Sequence, residues 1–289
     1  MNKIFKVVWS KTKECYVVVS EVAKNNGGKK KALASVLAGL AMVAATAGTP
    51  VHAGVGLGGS SVNISPDNIP SSQQNTVTKN SVVVGYQNNT TGGPSNESGK
   101  IVYGAANTAN RESSLAIGNQ NNATNKSASA IGVGNTASGE ASVAMGNQAK
   151  ALADYTVAVG SGAQATAMEG VAVGRGTRAT GGKSTAIGNE AKAQGDRNVS
   201  IGYKTDSQRD DSIAIGSEVS ALTGHNIAIG SAGTKAQSAD STSASLGLAI
   251  GINAQAVAAT AKDYDLIAIG NQTKATASAS TAIGTLAQA

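Results

Sequence analysis

The side chains that could support chemistry in this sequence are few and stand apart. Beyond residue 53 the chain has one histidine, His225, and a lone histidine in a polar turn is more often solvated than a general base or a metal ligand. Asp210 and Asp211 are adjacent, so their carboxylates would point to opposite faces of a strand and could not act as a pair. We predict no catalytic residue and no metal site, and the chain is not expected to be an enzyme.

Two glycine-rich stretches look superficially like phosphate-binding loops. Residues 174–176 read Gly-Arg-Gly, but they lie inside a regular repeat with no helical pattern after them. Residues 181–184 read Gly-Gly-Lys-Ser, and Thr177 stands where a phosphate loop of the Walker type needs its first glycine. Neither stretch predicts a nucleotide site, and no cofactor is expected.

The dominant pattern is a glycine that recurs every fourteen residues. Ten positions keep this interval without a slip: Gly104, Gly118, Gly132, Gly146, Gly160, Gly174, Gly188, Gly202, Gly216 and Gly230. Four further glycines have the same neighbours at the same or longer intervals: Gly85, Gly251, Gly270 and Gly284. A fixed short period is typical of a solenoid, so the sequence predicts about fourteen coils of 14 residues, each turning at its repeat glycine.

The residues before each glycine predict a strand with two apolar faces. The residue just before it is Ile in nine of the fourteen copies and Val in three, and the second residue before it is Ala in eleven. Large and small apolar residues that alternate in this way indicate burial on both faces, which one thin coil cannot supply alone. Ala also stands five residues after the glycine in eleven copies, after a polar residue, which predicts a second strand facing water.

The first 53 residues differ from the repeats. Residues 1–24 form a basic extension that contains aromatic residues; residues 25–53 bring three lysines, an apolar run and the sequence Val-His-Ala. This order predicts a signal peptide that is cleaved between Ala53 and Gly54. Residues 54–80 are rich in Gly, Ser, Asn and Pro without the period, so we expect a flexible lead-in before a head at 81–289.

Removal of the leader leaves a chain without net charge. Eight lysines and two acids lie in residues 1–53, so the remainder holds 15 basic and 15 acidic residues. The basic character therefore belongs to the export signal, and no nucleic-acid partner is expected. The only cysteine, Cys15, also lies in the leader, so the mature chain would have no disulfide.

The repeat core resembles a known family. Residues 115–120 (Leu-Ala-Ile-Gly-Asn-Gln), 143–149 (Val-Ala-Met-Gly-Asn-Gln-Ala) and 213–221 (Ile-Ala-Ile-Gly-Ser-Glu-Val-Ser-Ala) resemble the head repeats of YadA-like trimeric autotransporter adhesins. Residues 1–24 resemble the extended signal peptide region of such proteins. The resemblance implies a left-handed parallel β-roll that assembles as a homotrimer at the bacterial surface. Its ligand would lie on host extracellular matrix, on host cells or on other bacteria.

The resemblance also implies that the second apolar face of the long strand is an interface between subunits. One face of the long strand would fill the roll and the other would meet a neighbouring subunit, and the sequence leaves open which is which. The residues expected in the roll core or the trimer interface are Ile117, Ile187, Ile215, Ile229, Ala186 and Ala214. Attachment to the outer membrane is expected only through a C-terminal anchor of a longer parent protein, because the sequence stops in mid-repeat at Ala289; a shed head is the alternative.

Three other functions are known for solenoids or are compatible with one. Left-handed β-helical acyltransferases run on a six-residue period and use a histidine in a cleft, and a 14-residue period does not fit them. Ice-binding solenoids need a flat array of threonines, whereas the outer positions here mix Asn, Lys, Gln, Arg and Thr. A passive surface spacer or another binding solenoid stays as the alternative to an adhesin.

Overall fold

The computed structural model describes residues 5–10, 15–20, 61–66, 70–78, 80–94, 97–237, 246–259 and 265–289. The chain forms two compact units, residues 1–51 and 52–289. In the first unit, β1 (Phe5–Ser10) pairs with β2 (Cys15–Ser20) as an antiparallel hairpin. The predicted cleavage site, Ala53 and Gly54, lies outside the described residues, as does the apolar run before it.

The second unit is built from two parallel sheets, and most coils contribute one strand to each. Fifteen strands form the long sheet: β3 (Val62–Ile64), β4 (Ser81–Tyr86), β5 (Lys100–Ala105), β7 (Leu115–Asn119), β9 (Ser129–Val133), β11 (Val143–Asn147), β13 (Val157–Val159), β15 (Val171–Val173), β17 (Thr185–Ile187), β19 (Val199–Tyr203), β21 (Ile213–Ser217), β23 (Ile227–Ser231), β25 (Gly247–Ile252), β27 (Leu266–Ile269) and β29 (Thr281–Ile283).

The second sheet, called here the outer sheet, has twelve short strands. They are β6 (Thr108–Ala109), β8 (Asn122–Ala123), β10 (Thr136–Ala137), β12 (Lys150–Ala151), β14 (Gln164–Ala165), β16 (Arg178–Ala179), β18 (Lys192–Ala193), β20 (Asp206–Ser207), β22 (Ser220–Ala221), β24 (Lys235–Gln237), β26 (Gln255–Val257) and β28 (Lys274–Ala275). A short 3-10 helix covers Ser71–Gln73.

The all-β parallel solenoid that the period predicts is confirmed, but the number of coils is lower than predicted. About twelve coils are complete, because only twelve copies of the repeat contribute a strand to the outer sheet. At the two ends the outer strand is reduced to single bridges, Thr76 with Asn89 and Lys274 with Gln288. An end coil has a neighbour on one side only, so fewer ladder bonds hold its outer strand.

Alanine fills the interior of the roll. The central residues of the long strands lie in register, as in the pair Ala116 and Ala130, and both are fully buried. The outer strands turn their own alanines, such as Ala123, toward the same interior, where they are also fully buried. A side chain of one methyl group lets two sheets approach closely, so the small residue of the repeat is the inward one.

The repeat glycine is required by the contact between coils. Gly118 has φ +119°, is the penultimate residue of strand β7 and lies in register with Gly132 of the next coil. A Cβ atom on Gly118 would lie 2.0 Å from the carbonyl oxygen of Gly132. The glycine therefore permits the close contact between coils at the end of the long strand, and its role as the turn of the coil stays a prediction. Further left-handed residues follow it, such as Gln120 and Ser127, both at φ 55°, and Gly134 takes the place of Gln120 in the next coil at φ 65°.

A ladder of asparagines runs through the first coils, inside the roll. Its members are Asn75, Asn88, Asn107, Asn121 and Asn135. The Asn121 side-chain Nδ2 donates to Asn107 Oδ1 at 3.0 Å and to the Gly132 carbonyl at 2.7 Å. Asn121 Oδ1 in turn accepts from the backbone and the side chain of Asn135. Each buried amide thus finds partners in both neighbouring coils, which fixes their register.

Replacing Asn121 by alanine should lower the free energy of unfolding by about 1–3 kcal/mol, since buried polar groups of two coils lose their partners. Asn107 Oδ1 and the Gly132 carbonyl would each lose a donor. Denaturant unfolding monitored by circular dichroism measures the change. Asn119→Ala, at an exposed position of the same coil, is the control. Equal stability of the two variants would show that the ladder stabilises nothing.

Part of the predicted flexible lead-in belongs to the solenoid. Val62 of β3 pairs in register with Val82 of β4, and Ser61 Oγ donates to the Thr78 carbonyl at 2.8 Å. Lys100 is 1% exposed, and its Nζ lies 3.3 Å from Thr78 Oγ1. These contacts place the described residues 61–66 and 70–78 on the first coil.

Candidate binding surfaces of the solenoid

The outward face of the long sheet is apolar and open in the single chain. Its two columns are the residues one and three before each repeat glycine, called here the apolar face. Ile117, Ile215 and Ile229 are half-buried on this face, and Ile187 is 38% exposed. The more exposed members are Val82, Ile101, Tyr103, Met145 and Ile283. The sequence predicted burial on both sides of the strand; within one chain only the alanine side, with Ala186 and Ala214, is buried.

The outer sheet faces the opposite way and carries polar residues. The residue before each inward alanine forms one column, in which Lys150, Arg178 and Lys192 are exposed and Gln164 is partly exposed. Parallel register places these four side chains side by side on consecutive coils. Three cations thus stand within four coils, although residues 54–289 have no net charge. The sequence contains this pattern, since the residues at intervals of fourteen from Lys150 are Gln164, Arg178 and Lys192.

Several charged side chains at the turns are paired between coils. Arg111 bonds Glu97, Lys126 bonds Glu112, and Arg175 bonds Glu190 at 3.1–3.3 Å. Arg197 reaches Asp211 with two hydrogen bonds, 2.5 and 2.7 Å long. The guanidinium holds the pKa of the Asp211 carboxyl below its usual range and its own pKa rises in return. Exposed pairs of this kind contribute little to stability.

The residues first considered for chemistry do not converge on a site. His225 lies on the surface with Nε2 3.7 Å from Asp211 Oδ2. Asp210 accepts a hydrogen bond from the backbone of Asp196, and Asp196 accepts one from Gly182, so both carboxylates hold turns of neighbouring coils. Among the described residues no cluster of three or more metal-ligating side chains is found. Within the same part of the chain, no helix is long and apolar enough to span a membrane.

Three insertions leave the roll at one edge. The first lies between β4 and β5, the second between β24 and β25 and the third between β26 and β27, and in each case part of the insertion lies outside the described residues. Beside the second and third lies a cleft of about 190 Å³. Its lining is His225, Ile227, Leu246, Gly247, Leu248, Asp265, Leu266 and Ile267. Three of these residues, Ile227, Leu248 and Ile267, belong to the apolar face, so the cleft is continuous with that face.

Comparison with known proteins identifies both parts of the chain. Residues 1–48 match the extended signal peptide of the type V secretion system. The YadA head domain repeat matches residues 109–135, 123–149, 137–163, 151–177, 179–205 and 267–287. No curated protein matches the chain significantly. The structure continues the same coils through β20 to β26, between the last two matched segments.

The two matches are consistent in function. The signal peptide match covers the predicted extension at 1–24 and most of the predicted signal peptide at 25–53, while cleavage at Ala53 stays a prediction. An extended signal peptide followed by head repeats indicates export to the bacterial cell surface. Solenoid heads of this kind are typically not enzymes. The chain belongs to the trimeric autotransporter adhesins, with a head of the YadA type.

Proposed function

We propose that residues 61–289 form an adhesin head that assembles as a homotrimer through the apolar face and attaches the bacterium to a surface. The observation that carries the proposal is the length of that face. Its strands, from β4 to β29, stack at about 4.8 Å each, which gives an apolar stripe about 60 Å long. Exposed apolar patches on soluble single chains are rarely this extended, and larger ones mark interaction sites.

The arrangement of the apolar face and the outer sheet favours a role of the apolar face in subunit assembly and not in ligand binding. The columns that contain Ile187 and Ile215 are regular from coil to coil, so an identical neighbour would meet the same residues at every level. A closed ring of three would cover the face on all subunits at once. The outer sheet would then face solvent on each subunit, available for a ligand.

Repetition gives such a head its binding strength. Three chains would present each outer position three times, and coils at equal spacing would repeat similar contacts along the head. Contacts that are individually weak then combine through effective concentration. The ligand would be a component of host extracellular matrix, of a host cell or of another bacterium.

Attachment of the exported chain to surfaces tests this function. Beads coated with the wild-type chain should attach to at least one member of a panel of matrix proteins, host cells and bacterial cells. Beads coated with Ile187→Asp/Ile215→Asp should attach poorly, because single chains lack the multivalency of the trimer. If wild-type beads attach to nothing in the panel, the passive spacer becomes the better account.

A further inference from the structure

Three cations of the outer sheet stand in one line along the solenoid. Lys150, Arg178 and Lys192 hold the same place in β12, β16 and β18, and Gln164 holds it in β14 between the first two. Strands in register lie about 4.8 Å apart, so Lys150 and Arg178 are separated by about 10 Å and Arg178 and Lys192 by about 5 Å. We call these four residues the basic row.

The basic row has no acidic partners of its own. None of Lys150, Arg178 and Lys192 forms an ion pair with a described residue. At the C-terminal end of the row, Asp206 pairs in register with Lys192 but accepts its side-chain hydrogen bonds from Gln194 and Gln208. By contrast, Arg111, Lys126, Arg175 and Arg197 at the turns are all paired. The charge of the row is therefore available to a ligand.

The surroundings of the basic row are open and mostly polar. On one side, two residues after the row position, stand Leu152, which is exposed, and then Thr166 and Thr180, whose hydroxyls could bond a polar ligand. On the other side, two residues before the row position, are Gln148, Gly162, Gly176 and Glu190, and the carboxylate of Glu190 is paired with Arg175. A Cβ on Gly162 would meet nothing within 4 Å, so this side of the row has space.

The row favours a sulfated chain over a nucleic acid. Single-stranded nucleic acids are held by aromatic side chains on which bases stack, together with cations that follow the backbone. The basic row and the two columns beside it contain no aromatic residue between Gln148 and Gln194. A sulfated polysaccharide needs only cations at intervals and hydroxyl or amide partners between them. The row, with Gln164, Thr166 and Thr180, supplies both.

We propose that the basic row is a binding site for a linear sulfated polysaccharide, which lies along the solenoid axis across β12 to β18. The proposal specifies a ligand for the adhesin function and rests on that function. In the proposed trimer the outer sheet faces away from the apolar face, so each of the three subunits would expose one basic row. Binding is electrostatic in the main, so it weakens as salt screens the charges.

The test measures binding of the exported chain to immobilised heparin as the probe. The triple variant Lys150→Gln/Arg178→Gln/Lys192→Gln should bind about tenfold or more weakly than wild type and show a smaller dependence on salt. The control Lys126→Gln/Lys183→Gln/Lys204→Gln removes the same charge at the turns and should stay within about twofold of wild type. Chemically desulfated heparin should not bind to any of the three proteins.

Four results would overturn the proposal: no heparin binding by wild type, equal losses in the two triple variants, unchanged binding of desulfated heparin, or equally tight binding of oligo-dT matched in charge. Sedimentation and bead attachment of the same preparations separate this failure from that of the adhesin proposal. A wild-type trimer that attaches to cells and ignores heparin contradicts the basic row alone. A monomer that binds heparin through the row contradicts the assembly and supports the row.

Discussion

Gly160→Ala should lower the free energy of unfolding by about 3–5 kcal/mol, although it adds a single methyl group. Gly160 has φ +131°, a conformation that strains any residue with a Cβ. The added Cβ would also lie 2.4 Å from the backbone oxygen of Gly174 in the next coil. Backbone cannot move aside without breaking the ladder, so the substitution should disrupt two coils. The midpoint of denaturant unfolding measures the loss.

A second glycine of the same coil provides the control. Gly162 has φ +68°, and a Cβ there would meet no atom within 4 Å. Neighbouring coils place Gln148 and Glu190 at the equivalent position, at φ 56° and 59°. Gly162→Gln should therefore cost about 1 kcal/mol or less, the strain of the left-handed conformation alone. Similar losses for the two substitutions would contradict a close approach between coils at the repeat glycine.

Aspartate at adjacent positions of the long strands should have different effects, unfolding the chain at one position and preventing its assembly at the other. Ala186→Asp/Ala214→Asp puts carboxylates into the interior of the roll, where both positions are 0% exposed. A buried charge without a partner costs about 3–5 kcal/mol, so this variant should lose its β-sheet signal in circular dichroism. Ile187→Asp/Ile215→Asp puts the same charges on the apolar face. That variant should keep its β-sheet signal and sediment as a single chain.

The two variants are matched, because each introduces two aspartates and the substituted positions are adjacent in the sequence. Circular dichroism reports whether the roll survives, and sedimentation velocity reports whether chains associate. If the isoleucine variant unfolds while the alanine variant stays folded, the assignment of the two faces is wrong. If the isoleucine variant remains assembled, the apolar face is not the interface between subunits.

Much of this fold follows from the period of the sequence. Glycine at every fourteenth residue, with alternating large and small apolar residues before it, is satisfied by a parallel solenoid whose coils stay in register. The period could not show which face is inward, because Ala186 and Ile187 are both apolar and adjacent. The width of the roll decides that question, since the inward column holds small residues, mostly alanine with Ser200 in one coil, and valine only at Val83 and Val102 in the first coils.

Other features depend on contacts between distant coils. Ser61 and Thr78 interact with the first coil although their segment lacks the repeat, so its composition alone suggested a flexible lead-in. The net charge of the chain does not reveal the basic row, which becomes visible only when charge is counted along one column. The composition does not indicate the left-handed conformation of Gln120 and Ser127 either, because both residues adopt it only where the coil turns.

Sedimentation of the wild-type exported chain tests the central claim most directly. If the apolar face is covered by identical neighbours, the molar mass should be three times that of one chain over a wide range of concentrations, and Ile187→Asp/Ile215→Asp should sediment as one chain. A well-folded wild-type chain that sediments as a monomer at all concentrations would contradict the account.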